Sequence, residues 1–192
     1  FEHPLTHTLL INEVMPTGKP AQDWIELYND SNRERSLEGF MLSDRKGNRF
    51  VLPRGTRIGA HDFLVVCQDE QHFRKTHPMA YNLIGNLGFG INKHREQLSL
   101  FDPQGAMIDS IGYVLEPTDT DFTWSLLLPQ LDNADTENWQ VLYNPGTPNE
   151  ATPYYMTSKV HASHKQWIPV SLLASLCLLI VSLVYLSWSQ TP

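Results

Sequence analysis

The sequence predicts an all-β domain, an antiparallel β-sandwich of roughly immunoglobulin size, followed by a single transmembrane α-helix. Three observations support this prediction. Residues 5–149 are short apolar runs separated by turn-forming residues, no long helical period interrupts them, and residues 167–188 carry no charge. We therefore divide the chain into an N-terminal extension (1–7), a sandwich (8–149), a juxtamembrane linker (150–166), a transmembrane helix (167–188) and a C-terminal tail (189–192).

The first half of the sandwich contains several strand signals. Residues 9–11 are apolar and open a strand, and residues 24–28 alternate between two faces. Residues 40–42 and 50–52 flank a polar, glycine-containing turn, which is typical of a hairpin. Residues 63–67 are apolar on both faces, so we expect them in the centre of a sheet.

The second half contains the clearest hairpin, formed by residues 98–101 and 107–111. Pro103 and Gly105 stand between them at the positions that these residues favour in a type I turn. The segment 68–91 is irregular, and a short helix over 69–75 is the element that we expect within it. Cys67 and Cys177 are far apart in the chain, and no disulfide framework is predicted.

The predicted transmembrane helix consists of 22 residues without a charged side chain. A helix of this length spans the roughly 30 Å hydrocarbon core of a bilayer. Trp167 and Trp188 bracket it, with Tyr185 one turn earlier, as expected of aromatic residues at the two membrane interfaces. Pro169 falls in the first turn, where its missing N–H costs little.

One face of this helix carries small residues. Ser171, Ala174, Ser175 and Ser182 form a stripe at helical spacing, which favours packing against another transmembrane helix. A lipid-facing anchor that tolerates serine is the alternative.

The charge distribution limits the partners. The net charge is −7, and residues 96–158 contain ten acidic residues and no Lys or Arg. Such a surface repels phosphate backbones, so we expect no nucleic-acid partner. Basic residues in the segment 159–165 suggest by the positive-inside rule that the domain is cytoplasmic. Long domains largely escape that rule, however, and we keep both sides open.

Several motifs occur in a specific order along the sandwich. They read LINEV at 10–14, DWIELYN at 23–29, LEGFMLSD at 37–44, FLVV at 63–66, QLSLFD at 97–102, IDSI at 108–111 and NPGTPN at 144–149. Over residues 8–149 the chain resembles the lamin tail domain of the bacterial type. The resemblance implies an immunoglobulin-like sandwich that binds or tethers, without catalytic residues or a cofactor, and it favours a periplasmic domain anchored in the inner membrane. Residues 86–95, NLGFGINKHR, depart from the family pattern.

Candidate chemical groups are few. Glu13, Asp23 and Glu26 could form a carboxylate cluster, although strand carboxylates more often accept hydrogen bonds. His72 and His77 lack the spacing of a known metal motif. The acidic loops 116–121 and 132–137 are possible calcium sites without the pattern of an EF-hand. We therefore expect a protein that is not an enzyme and has no metal centre.

The expected function is that of a membrane-anchored interaction or scaffold protein, an accessory subunit that docks on a larger integral membrane complex. Trp124, Trp139 and Tyr143 are the expected partner contacts, on the assumption that they lie in exposed loops. Two alternatives stay open: a surface module that binds polysaccharide or another extracellular ligand, and the C-terminal remnant of a larger secreted enzyme.

Overall fold

The computed structural model describes residues 8–129, 131–143 and 146–153, and the chain divides into two compact units after Thr152. The described strands are β1 (Leu9–Met15), β2 (Trp24–Asn29), β3 (Arg35–Ser36), β4 (Met41–Ser43), β5 (Arg49–Val51), β6 (Arg57–Ile58), β7 (Phe63–Cys67), β8 (Leu83–Ile84), β9 (Arg95–Phe101), β10 (Met107–Val114), β11 (Thr123–Leu126) and β12 (Trp139–Leu142). Helix α1 is Glu70–Thr76, and Thr136–Asn138 form a 3-10 turn.

Two sheets form the sandwich. The larger has six strands in the order β12-β11-β1-β2-β7-β8, and the smaller has four in the order β10-β9-β4-β5. Strands β3 and β6 pair separately. All pairs are antiparallel except β7 with β8. The predicted all-β, sandwich-like fold is therefore confirmed.

The six-stranded sheet is covered on both faces. Its inner face packs against the smaller sheet in the main core, with residues such as Ile25, Leu27 and Leu64. A second core, which includes Trp24 and Phe73, lies between the outer face and α1. Because both faces are covered, every residue of β1, β2 and β7 is buried, including the polar Asn12, Glu13, Glu26 and Asn29.

Most of these elements follow from short-range features of the sequence. The predicted hairpins appear as β4–β5 and β9–β10, and the run at 63–67 forms β7 between β2 and β8. Helix α1 begins after Asp69, whose side chain caps it by accepting from the His72 N–H at 2.9 Å. The Cys67 side chain is buried, and burial is the main cause that raises the pKa of its thiol to about 12. Cys67 therefore behaves as a small apolar residue of the core.

The assumption about Trp124 and Trp139 is wrong. Both belong to strands, β11 and β12, and their side chains are 8% and 7% exposed. Their rings stack at 5.7 Å with an interplanar angle of 6°, and the Trp139 Nε1–H donates to the Asn133 carbonyl at 2.9 Å. They are buried in the main core and expose little surface to a partner. Tyr143, just after β12, is exposed as expected.

No helix among residues 8–129, 131–143 and 146–153 is long and apolar enough to cross a membrane. The predicted helix 167–188 lies outside the described residues.

A short C-terminal segment, residues 146–149, crosses the outer face of the large sheet; we name it the strap. The Asn149 N–H donates to Glu26 Oε2 at 2.6 Å, and the Thr147 hydroxyl donates to Glu13 Oε2 at 2.9 Å. Gly146 has φ +86°, and a Cβ at this position would lie 2.6 Å from Trp24 Cζ2. The strap therefore requires glycine both for its backbone conformation and for its contact with the core.

Asn149 joins the strap to the loop before β8. Its Oδ1 accepts from the Tyr81 N–H at 3.0 Å, and its Nδ2 donates to the Asn82 carbonyl at 3.1 Å. Its φ of 61° lies in the left-handed region, which asparagine tolerates better than most residues.

We predict that Asn149→Ala lowers the free energy of unfolding by about 1–3 kcal/mol, because it leaves a donor and an acceptor of the loop without partners. Chemical denaturation measures the change. Asn86→Ala is the matched control: Asn86 has φ 69° and an exposed side chain with no hydrogen bond among the described residues. Equal losses in the two variants would show that only the left-handed backbone matters.

Candidate functional site

Glu13 and Glu26 are the first candidates, and the register places them directly opposite each other on β1 and β2. Both are fully buried. A β-bulge at Asn12 precedes Glu13 and adjusts the register there. The two carboxylates therefore share one outer face of the large sheet, and the strap covers them.

The partners of these carboxylates are structural. Glu13 accepts from the hydroxyls of Ser125 at 2.7 Å and Thr147 at 2.9 Å. Glu26 accepts from Asn12 Nδ2 at 3.0 Å and from the Asn149 N–H. Their oxygens thus bind β11, the bulge and the strap. This arrangement joins elements that are remote in the chain and leaves no open position for a substrate.

The environment of Glu26 disfavours its charged form. Burial raises the pKa of Glu26 well above its ordinary value, and the negative charge of Glu13 raises it further. Hydrogen bonds from Asn149 and Asn12 oppose the shift. Asn12 Oδ1 has no hydrogen-bond partner among the described residues. Rotation of the Asn12 amide would therefore offer an acceptor to a protonated Glu26.

Asp23, the third predicted acid, forms a separate site. One of its oxygens accepts from the Thr17 N–H at 2.7 Å and the Thr17 hydroxyl at 2.8 Å, and the other accepts from the Ile91 N–H at 2.7 Å. Burial raises the pKa of Asp23, and these hydrogen bonds oppose the rise. The predicted three-member cluster is therefore a pair, Glu13 and Glu26, with Asp23 apart and fixing loops.

The other candidate ligands have structural contacts. His77 stacks on Phe73 at 4.4 Å and caps the end of α1. In the calcium-candidate loops, Asp132 and Asp135 cap turns by accepting from nearby backbone N–H groups. Within the described part of the chain, no three His, Cys, Asp or Glu residues are grouped so that they could hold a metal ion. Calcium on these loops stays a prediction.

The predicted anchor and helix-packing residues lie outside the described residues. These are Trp167, Pro169, Ser171, Ala174, Ser175, Ser182, Tyr185 and Trp188.

An apolar surface that sequence analysis missed lies on the loop between α1 and β8. Met79 is 84% exposed and Tyr81 is 61% exposed. The Tyr81 hydroxyl donates to Asp62, and the Tyr81 N–H donates to Asn149 in the strap. The loop is therefore held in place although its apolar side chains face solvent. The sequence signal was weak, because PMAY has neither strand nor helix periodicity.

Two surface clefts were also missed. One, of about 460 Å³, lies beside the ends of β9 and β10 and is lined by residues that include Arg45, Arg95, Tyr113 and Trp124. The other, of about 540 Å³, lies between loops at one end of the sandwich, and its lining includes Lys19, Lys46, Lys93 and His94. We call the second the basic cleft. No local pattern predicts it, because its residues come from separate loops.

We predict that Glu26→Gln weakens the pH dependence of stability. A raised pKa means that the native protein keeps a proton that the unfolded chain has already released. The Glu26 contribution to stability is therefore lost as pH rises from the ordinary carboxyl range through the raised pKa. The amide group that this substitution introduces could donate to Asn12 Oδ1 once the Asn12 amide rotates.

Urea midpoints measured against pH test this prediction. Wild type should lose more stability than Glu26→Gln as pH rises from the ordinary carboxyl range through the raised pKa of Glu26. Exposed Glu137→Gln serves as the control for the loss of one formal charge. A slope for Glu26→Gln as steep as that of wild type would contradict the assignment.

Comparison with known families agrees with this architecture. The model of the lamin tail domain matches residues 3–115, more than half of the chain. The match covers β1 to β10, whereas β11, β12 and the strap follow it. A comparison with curated proteins gives no match. The chain belongs to the lamin tail domain family.

Proposed function

We propose that this protein is a non-catalytic, membrane-anchored interaction protein whose sandwich docks, as an accessory subunit, on a larger membrane protein complex. The uncharged residues 167–188 would form its single-pass anchor, with Trp167, Tyr185 and Trp188 at the interfaces and Pro169 in the first turn. The small residues Ser171, Ala174, Ser175 and Ser182 would face a helix of the partner.

One observation carries the docking proposal: exposed Met79 and Tyr81 lie on a loop that the strap holds in place. Methionine and tyrosine are enriched at protein interfaces, since methionine adapts its shape and tyrosine combines a large apolar ring with a polar end. Hydrogen bonds to Asn149 and Asp62 fix the loop before any partner arrives, so little ordering entropy remains to be lost on binding.

The use of carbohydrate as ligand has weaker support. That alternative relied on Trp124, Trp139 and Tyr143 as stacking platforms for sugar rings. The rings of Trp124 and Trp139 stack on each other and are 8% and 7% exposed, so little of either ring is available to a sugar, although Trp124 lines the cleft beside β9 and β10. We therefore favour a protein partner.

We predict that a chain ending at Pro153 loses its membrane association. The sandwich keeps its two cores, but residues 167–188 are removed. Extraction of membranes with alkaline carbonate measures the change: the full chain should stay in the pellet, and the shortened chain should be released. Retention of the shortened chain would contradict the anchor.

The side of the membrane is tested on the full chain by protease access. Our proposal expects the sandwich on the periplasmic side of the inner membrane, where protease reaches it once the outer barrier is opened. Digestion that requires disruption of the inner membrane would place the sandwich in the cytoplasm, as a tail-anchored protein.

We predict that Met79→Asp weakens association with the partner complex by about tenfold, because a charge would replace an apolar contact. Native mass measurement after mild detergent extraction gives the fraction of chain in a complex of defined mass. Val114→Asp is the control, since Val114 is also exposed but lies on β10. Full assembly of Met79→Asp, or equal loss in both variants, would contradict docking through this loop.

A further inference from the structure

The basic cleft lies where four chain segments meet. Its walls come from the turn after β1, the turn between β4 and β5, the residue after β7, and the loop before β9. The last of these contributes residues 88–94, within the segment that departs from the family pattern. At about 540 Å³ the cleft is large enough for a ligand the size of a sugar phosphate.

A buried carboxylate holds two of these walls together. Glu96 accepts from the Arg45 N–H at 3.0 Å and, through its other oxygen, from the Asn92 N–H at 2.9 Å. Lys46 and Lys93 are the next residues in these two segments, so Glu96 fixes the backbones that carry both ammonium groups. The cleft is thus built by internal hydrogen bonds.

The lining of the cleft is cationic although the whole chain is acidic. Lys19, Lys46, Lys93 and His94 all line it, and the only acid among its described lining residues, Asp23, is buried and accepts three hydrogen bonds. Neither Lys46 nor His94 has a side-chain hydrogen bond or ion pair within the described residues. Both side chains can therefore donate to a ligand in the cleft.

Lys93 is held in a position suited to an anion. Its side chain is only 12% exposed, and Nζ lies 5.7 Å from the centre of the Phe122 ring. Asp121 lies 2.5 Å from Lys19 Nζ and 3.8 Å from Lys93 Nζ, so a single carboxylate already bridges the two ammonium groups. Because Asp121 is farther from Lys93 Nζ than from Lys19 Nζ, Lys93 is the lysine of this pair that can contact an anionic group of a ligand.

The wall of the cleft that contains Gly88 leaves room for a ligand. A Cβ on Gly88 would have no heavy atom within 4 Å, so the space beside its Cα is open. The lysine side chains that line the cleft suit a tetrahedral anion, which lysine binds as a point charge. We propose that the basic cleft binds a small ligand carrying a phosphate group, with Lys46, Lys93 and His94 as its main contacts.

Titration calorimetry on the full chain in phosphatidylcholine nanodiscs tests this site. Glucose 6-phosphate is the probe, with inorganic phosphate as the minimal anion and glucose as the neutral control. We expect the two phosphates to bind with an affinity that falls as salt is added, and glucose to show no binding. Absence of binding by both phosphates, or equal binding of glucose, would overturn the proposal.

Charge-removing variants locate the ligand. Lys46→Gln should weaken glucose 6-phosphate binding by about tenfold, since it removes a charge-assisted contact, and His94→Gln should weaken binding because it removes a ring N–H donor. Lys75→Gln removes an equal charge from the exposed surface of α1 and should bind as wild type does. Both cleft side chains are exposed and lack partners in the described chain, so the variants should unfold at the wild-type temperature. Equal weakening by Lys75→Gln would overturn the assignment to this cleft.

A second arm separates two sources of phosphate. The same titration is repeated in nanodiscs that contain phosphatidylglycerol. Weaker apparent binding of glucose 6-phosphate there, in wild type but not in Lys46→Gln, would identify a lipid headgroup as the competing occupant. Unchanged binding would exclude this lipid headgroup as the occupant and favour a soluble phosphorylated ligand. Either result upholds a phosphate site.

Discussion

Two buried carboxylates on adjacent central strands are the constraint on which this fold depends. A carboxylate without hydrogen bonds is very costly in a protein interior, so Glu13 and Glu26 must find donors. Those donors come from far along the chain: Ser125 is 112 residues from Glu13, Thr147 is 134 residues from Glu13, and Asn149 is 123 residues from Glu26. The acids therefore couple the first strands to the last described segment. Removal of the strap would take away the donors that Thr147 and Asn149 supply to these carboxylates and would uncover Trp24.

The sequence was most informative where a signal is local. The β4–β5 and β9–β10 hairpins follow from short apolar runs around polar turns, and α1 follows from its Asp69 cap. The role of Glu13 and Glu26 as hydrogen-bond acceptors could also be predicted, because carboxylates inside strands need donors. Their partners could not be predicted, because the chain positions of those partners carry no pattern that points back to β1 and β2.

The missed strands have a physical explanation. Residues 123–126 read TWSL and alternate between polar and apolar, but β11 has only four residues and all of them are buried. Acidic loops surround it, and they suggested that Trp124 and Trp139 were exposed. Instead the indole rings stack on each other and close the edge of the main core. Strand β8 was missed for another reason: it has only two residues and pairs in parallel with β7, so its position depends on tertiary contacts.

The two ends of the sandwich differ in surface chemistry. Strand β7 runs from Phe63 to Cys67. The Phe63 carbonyl accepts from the Asn82 and Asn149 side chains, and Cys67 precedes Gln68, which lines the basic cleft. At about 3.3 Å per residue, these ends are roughly 13 Å apart. The exposed apolar loop lies at the first end, and the lysines lie at the second. The proposed docking loop and the basic cleft are therefore separate regions of the sandwich, at opposite ends of β7.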